Sequence, residues 1–208
     1  MKPQLHPAFA PPLPRSFFER PTLQVAPELL GCRLVRVLEP QEVPGGAEGP
    51  VVLVARLVEV EAYLGPTDPA SHAYRRTPRS AIMWGPPGRA YVYFSYGNHD
   101  CMNVVTEPEG VAGAVLLRAA EPLEGVEVMR KLRGTHDVRQ LLRGPGRLTK
   151  ALAVDRRFNG WDLTQPGPLY LVGGEPPARV ATSPRIGIRR AVDRPWRFFD
   201  PESPFVSR

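Results

Sequence analysis

Two carboxylates one residue apart, Glu59 and Glu61, and the phenol of Tyr63 at the same spacing stand in the segment LVEVEAYL (57–64), which is otherwise apolar enough to be a strand. Read with period two, Leu57, Glu59, Glu61 and Tyr63 point to one face and Val58, Val60 and Ala62 to the other. The simplest account is an edge strand whose polar face is wet. A second account is sugar-bond hydrolysis, because residues i and i+2 of a strand lie about 6.5 to 7 Å apart, inside the roughly 6.5 to 9.5 Å that separates the two acids of inverting glycosidases. Those acids flank the scissile bond from opposite sides, which neighbours on one strand face do not easily do. A further cluster is aromatic: AYVYFSYGNHD puts Tyr91 and Tyr93 on one strand face and Tyr96 at a hairpin tip beside Gly97-Asn98, where a ring has little protein to pack on.

The elements that must position these groups follow from periodicity and turn chemistry. Thr22 is expected to cap a helix over residues 22–30 that stops at Gly31. Strands are expected at 32–38 and 51–63, with the proline-rich stretch 65–87 as a long irregular connection. Residues 90–95, 101–106 and 111–119 read as a three-stranded antiparallel meander. A helix is expected over 124–132, a pair of short helices over 138–153 interrupted at Gly144-Pro145, a strand at 169–172 and an irregular tail after it. Residues 1–14, proline-rich and without periodicity, read as a disordered tail, leaving 15–208 as one domain.

Composition narrows the partners. The chain has 208 residues, with 27 basic against 21 acidic side chains and a net charge of +6. From Arg130 onward there are 16 Lys+Arg against 7 Asp+Glu, a surplus of 9, so the rest of the chain is slightly acidic. Such asymmetry suits a polyanion, nucleic acid before an anionic membrane surface, and the dominance of arginine suits phosphate. Cys32 and Cys101 stand apart with no CxxC or His cluster, so neither a zinc site nor a disulfide framework is implied, and a reducing cytoplasm is the default. No stretch approaches the 18 or so apolar residues of a membrane span.

In order along the chain, EAYLGP (61–66), His72, TPR (77–79), YVYFSYG (91–97), CMN (101–103), LLRAAEPLEG (116–125) and GPGRL (144–148) resemble the alkyladenine, or 3-methyladenine, DNA glycosylases. The resemblance covers nearly the whole chain. It implies an α+β fold: a single mixed domain with a curved antiparallel sheet, a protruding β-hairpin and surrounding helices. It also implies removal of alkylated purines from double-stranded DNA, without cofactor or metal, by a monomer in the cytoplasm or on a prokaryotic nucleoid and not on a membrane. An enzyme of this kind must flip the damaged nucleotide out of the stack.

Residue by residue, the resemblance makes Glu61 the general base and Arg118 the group that helps hold that carboxylate and its water. Tyr63, His72 and Tyr93 match the residues that sandwich the flipped base, and Asn103 matches one that restricts which purine edges fit. Tyr96 matches the intercalating residue, at the place where a wedge entering the minor groove ought to be. Glu59 has no role in the motif and is expected to be a structural or salt-bridged acid. Arg75, Arg76, Arg79, Gly144 and Arg147 are candidates for the DNA backbone. GPGRLTKAL (144–152) superficially suggests a helix-hairpin-helix, but its preceding helical partner is too short. The pattern departs at the hairpin tip, where Asn98 replaces a bulkier apolar residue, which bears on how the wedge fills its gap. The competing reading is a non-catalytic DNA-binding module, which explains the charge and the tyrosine hairpin but leaves Glu61 unexplained.

Overall fold

The structure, a computed structural model, describes residues 10–95 and 97–207. Its apolar runs form β1 (Arg33–Leu38), β2 (Val51–Leu64), β3 (Ala90–Ser95), β4 (His99–Val105), β5 (Gly113–Glu124) and β6 (Leu169–Val172). These strands lie antiparallel in the spatial order β3-β4-β5-β2-β1-β6. Two short strands, β7 (Ala181–Ser183) and β8 (Arg197–Phe199), pair with each other, and β8 also pairs with the far half of β2. The helices are α1 (Arg15–Phe18), α2 (Thr22–Glu28), α3 (Val126–Arg133) and α4 (Pro145–Ala151). The architecture is the α+β fold expected from the sequence, and β3, β4 and β5 form the expected meander.

β2 is an interior strand, not an edge: β5 flanks one side, and β1 and then β8 flank the other. Its period also breaks. Leu53, Ala55 and Leu57 belong to the main core, but beyond Val58 the core positions become Val60 and Ala62. The register explains the change, since Leu57 faces Ala120 while Glu59 faces Ala119, which leaves Val58 as an extra residue. A second bulge follows on β5, where Glu59 faces Ala119 and Val60 faces Leu117, so that Arg118 is the extra residue. The simple alternation that put Leu57 beside Glu59 therefore fails, and the two bulges re-aim Glu59, Glu61 and Arg118 at one another.

Several boundaries move for local reasons. Thr22 is the first residue of α2 and caps nothing; its hydroxyl bonds the Thr106 hydroxyl at 2.9 Å and Glu107 Oε1 at 2.7 Å, tying the helix to the end of β4. β5 runs on to Glu124, and α3 begins after Gly125, whose left-handed φ of 72° sets the corner. A Cβ there would stand 2.8 Å from the Val52 carbonyl oxygen, so a glycine is needed for close approach as well as for the turn. Residues 138–153 yield one 3-10 turn (Val138–Gln140) and α4 in place of two helices. The long connection after β2 carries 3-10 turns at His72–Tyr74 and Ala81–Trp84, and the C-terminal tail carries β7 and β8. At the other terminus Pro12 bridges Val172 and the Leu13 N–H donates to Leu171 at 2.8 Å, so the chain is already held against β6 before α1. No described helix is long and apolar enough to cross a membrane.

Candidate active site

β2 delivers two fully buried carboxylates into different surroundings. Glu59 Oε1 accepts from Arg197 Nε at 2.7 Å, Arg118 Nε at 3.1 Å and the Ser207 hydroxyl at 2.8 Å, while its Oε2 accepts from the Ser207 N–H at 2.6 Å. This acid is enclosed by four donors and paired with two arginines, the salt-bridged state expected from the sequence. Glu61 Oε1 accepts from the Ile186 N–H at 2.7 Å and lies 3.4 Å from Arg118 Nη1; its Oε2 accepts from the Tyr63 hydroxyl at 2.8 Å. A carboxylate offers about four acceptor sites, so Glu61 retains capacity for one more donor.

In front of Glu61 lies a cavity of about 520 Å³, lined by Tyr63, His72, Tyr93, Asn103 and Arg118 among others. Its size is that of an ordinary small-molecule site. Glu61 does not line the cavity itself; Tyr63 and Arg118, which hold its carboxylate, do. His72 and Tyr93 meet edge to face with ring centroids 4.6 Å apart, and Tyr91 lies 5.1 Å behind Tyr93. His72 reaches this position because the Ser71 hydroxyl caps the 3-10 turn by accepting from the Ala73 N–H. Its Nδ1 lies 2.9 Å from the Tyr91 hydroxyl. Asn103 donates Nδ2–H to the Tyr91 carbonyl at 3.0 Å, which fixes how its amide faces the cavity.

Electrostatics follow from burial. His72 keeps part of its surface open to solvent, but loss of solvation on the side facing the tyrosines, with the nearby charge of Arg79, lowers its pKa to about 4. Burial, and then the charge of Glu61, push the Tyr63 phenol well above its ordinary range, so it stays a hydrogen-bond donor. Burial likewise raises Cys101, also on the cavity wall, to about 11. Among the described residues no group of three or more His, Cys, Asp or Glu side chains is placed to hold a metal ion.

The remaining candidates divide. Arg79 sits with its guanidinium 4.7 Å from the Tyr93 ring centroid and lines the cavity, so the structure places it beside the aromatic cluster. Arg75 is exposed, and Arg76 lies over Trp84 at 5.5 Å. Gly144 and Arg147 border an adjoining groove of about 760 Å³ together with Arg133, Arg143 and Lys150. Gly146 brings α4 against the hairpin: a Cβ at that position would lie 2.9 Å from His99 Cβ. Tyr96 falls outside the described residues. Sequence reasoning did not assign the 185–190 loop, whose Ile186, Gly187 and Ile188 line the cavity, nor the Arg197 and Ser207 contacts behind Glu59. The RIGI stretch was the available signal for the loop; nothing in the sequence signalled the C-terminal contacts.

Comparison with known proteins places this arrangement. The methylpurine-DNA glycosylase family matches residues 16–204. A Streptomyces avermitilis protein named "Putative 3-methyladenine DNA glycosylase" is 49% identical over 203 residues, covering 94% of this chain and 91% of its own. Proteins of the same name from Carboxydothermus hydrogenoformans and Methanocella arvoryzae are 47% and 44% identical, over 94% and 95% of this chain and 98% and 96% of theirs. With matches of this extent, the chain belongs to the methylpurine-DNA glycosylase family, hydrolases of base-excision DNA repair.

Proposed function

We propose that the protein flips alkylated purines such as 3-methyladenine and 7-methylguanine out of duplex DNA and hydrolyses their N-glycosidic bond, acting as a monofunctional glycosylase that leaves an abasic site. The observation that carries this reading is the cavity bounded by the Tyr63, His72 and Tyr93 rings with a buried carboxylate held immediately behind it. An electron-poor methylated purine gains from stacking on electron-rich rings. A neutral His72 adds no positive charge to repel a base that already carries one.

In the reaction, a water lying between Glu61 and the sugar gives its proton to the Glu61 carboxylate as its oxygen bonds C1′. The C1′–N bond breaks, and its electron pair leaves with the base. Arg118, anchored through Nε on Glu59, presents Nη1 toward Glu61 and so orients the base and its water. Asn103, fixed by the Tyr91 carbonyl, selects among purine edges. Tyr96 fills the gap in the duplex. Arg75, Arg76, Gly144 and Arg147 contact backbone phosphate, joined by the other cations of the 760 Å³ groove; Arg79 acts instead beside the flipped base. Lyase chemistry through a Schiff base needs a pocket amine, and of the described lysines Lys150 lines that groove and Lys131 lines neither it nor the base cavity.

The test is a duplex carrying one 7-methylguanine, incubated with the protein and cleaved by alkali. Strand scission at the lesion, with no adduct trapped by borohydride, is the expected result. Tight lesion binding without base release would favour a non-catalytic DNA-binding module instead.

A further inference from the structure

Arg185 and Asp68 are both completely buried and form a two-pronged ion pair, Nη1 to Oδ2 at 2.6 Å and Nη2 to Oδ1 at 2.8 Å. Asp68 also accepts from the Leu64 and Ala70 N–H groups at 3.2 Å each, and Arg185 Nη1 donates to the Ala62 carbonyl at 2.9 Å. The guanidinium lies over two rings, 4.6 Å from the Tyr63 centroid and 5.0 Å from that of Trp196. A second guanidinium, that of Arg194, covers Trp196 at 4.6 Å. Tyr63, Arg185, Trp196 and Arg194 thus form a chain of ring and cation contacts that begins at a residue lining the cavity.

Stability alone does not account for this pair, because a buried ion pair can often be replaced by apolar side chains without loss. Its placement does. Asp68 belongs to the loop that continues β2 beyond Tyr63, while Arg185 belongs to the loop between β7 and β8, 117 residues away. The next residue, Ile186, donates its N–H to Glu61 Oε1 at 2.7 Å, and Gly187, with a left-handed φ of 76°, turns the chain along the cavity wall. Tyr63, backed by the same guanidinium, donates to Glu61 Oε2.

We propose that the Arg185–Asp68 pair is a positioning clamp for the reaction: it fixes two of the three groups that hold Glu61, the Ile186 amide and the Tyr63 hydroxyl, and with them one wall of the base pocket. This inference rests on the proposed role of Glu61 and extends it. Arg185 lines neither the base cavity nor the groove beside it; it acts on Glu61, through the Ile186 amide and the Tyr63 hydroxyl. Lysine could not replace it, since a point charge supplies neither the parallel pair of hydrogen bonds nor a planar group to lie over rings.

The test is single-turnover release of 7-methylguanine from a duplex by Arg185→Lys, by the neutral pair Asp68→Asn/Arg185→Gln, and by each change in a Glu61→Gln background. Amplitude reports the folded, competent fraction and the rate constant reports the chemistry. Small displacements of positioned groups cost about 10²-fold, and a loss of that order is expected for Arg185→Lys at full amplitude, with duplex affinity unchanged. In the Glu61→Gln background the same change should cost little more, because the clamp acts through the missing carboxylate. A rate constant within threefold of wild type overturns the clamp, as does reduced amplitude with an intact rate constant, or an equal loss in both backgrounds. Should Arg185→Lys not fold, the neutral pair is judged by the same readings. Failure of the wild-type protein to release 7-methylguanine would sink the functional reading and the clamp with it.

Discussion

Glu59 and Glu61 are chemically identical, lie two residues apart on one strand and are equally buried, yet they occupy opposite kinds of environment. Glu59 is enclosed by four donors, two of them arginines and two from Ser207 at the chain's C-terminal end. Glu61 has one backbone amide, one phenol and a single arginine nitrogen at 3.4 Å, with the cavity just beyond. A carboxylate enclosed by four donors, two of them arginines, is a poor proton acceptor; one with fewer donors next to a cavity can take a proton. Arg118 stands between them, its Nε on one acid and its Nη1 toward the other.

The strongest way to break this comparison is Glu61→Gln, which preserves shape and removes basicity. General-base contributions of about 10² to 10⁴ in rate set the expected loss in single-turnover excision, with lesion affinity within a few-fold. Glu59→Gln should behave in the opposite manner. It leaves Arg197 and Arg118 facing a neutral group, and at about 3 kcal/mol, the lower end for disrupting a buried pair, melting should fall by roughly 6 to 12 °C. Excision per folded molecule should stay within about tenfold of wild type. If Glu59→Gln abolishes excision while Glu61→Gln does not, the assignment of roles is reversed.

Much of this was legible because it is local. Glu59, Glu61 and Tyr63 share one strand, while His72, Tyr93 and Asn103 were singled out by a family resemblance carried in short motifs, and the structure sets Tyr63, His72, Tyr93 and Asn103 on one cavity. The bulges were not legible: Val58 is as apolar as Val60, and only pairing with β5 reveals that one is an extra residue. β7 and β8 escaped because three-residue strands such as RFF carry no period; β8 is held by pairing with β2, and β7 by pairing with β8. Arg185, Arg197 and Ser207 act on residues 117 to 148 positions away, a separation no local pattern spans. The charge surplus after Arg130 was visible but was too coarse to separate structural arginines from surface ones: Arg185 and Arg197 are buried in ion pairs, while Arg147 and Lys150 border a groove.

A smaller effect sharpens the account of how Glu61 is held. Tyr63→Phe keeps the aromatic ring and its contact with Arg185 but removes the hydroxyl that donates at 2.8 Å to Glu61 Oε2. A hydrogen bond to a charged group is worth about 1.5 to 3 kcal/mol, and water can replace part of it, so roughly tenfold slower excision is expected with unchanged lesion binding. Equal losses in binding and rate would mean that the hydroxyl serves lesion binding and not the holding of Glu61.

The smallest expected effect concerns the cavity mouth and has a definite sign. The His72 pKa is lowered from 6.5 to about 4, chiefly by loss of solvation and then by Arg79. Between those two pH values the unfolded chain binds the proton and the folded one does not, so stability rises with pH across that window and falls as the solution is acidified from about 6.5 toward 4. His72→Gln removes the titration, and its urea midpoint should therefore drop less than that of wild type between pH 7 and pH 5. Because His72 is partly open to water, the difference should be modest. The consequence for chemistry is larger than the energy: a ring that stays neutral at neutral pH can face a cationic purine without repulsion. An identical acid-induced drop in both proteins would show that His72 titrates alike in the folded and unfolded chains, and the neutral stacking face would have to be assigned to the tyrosines alone.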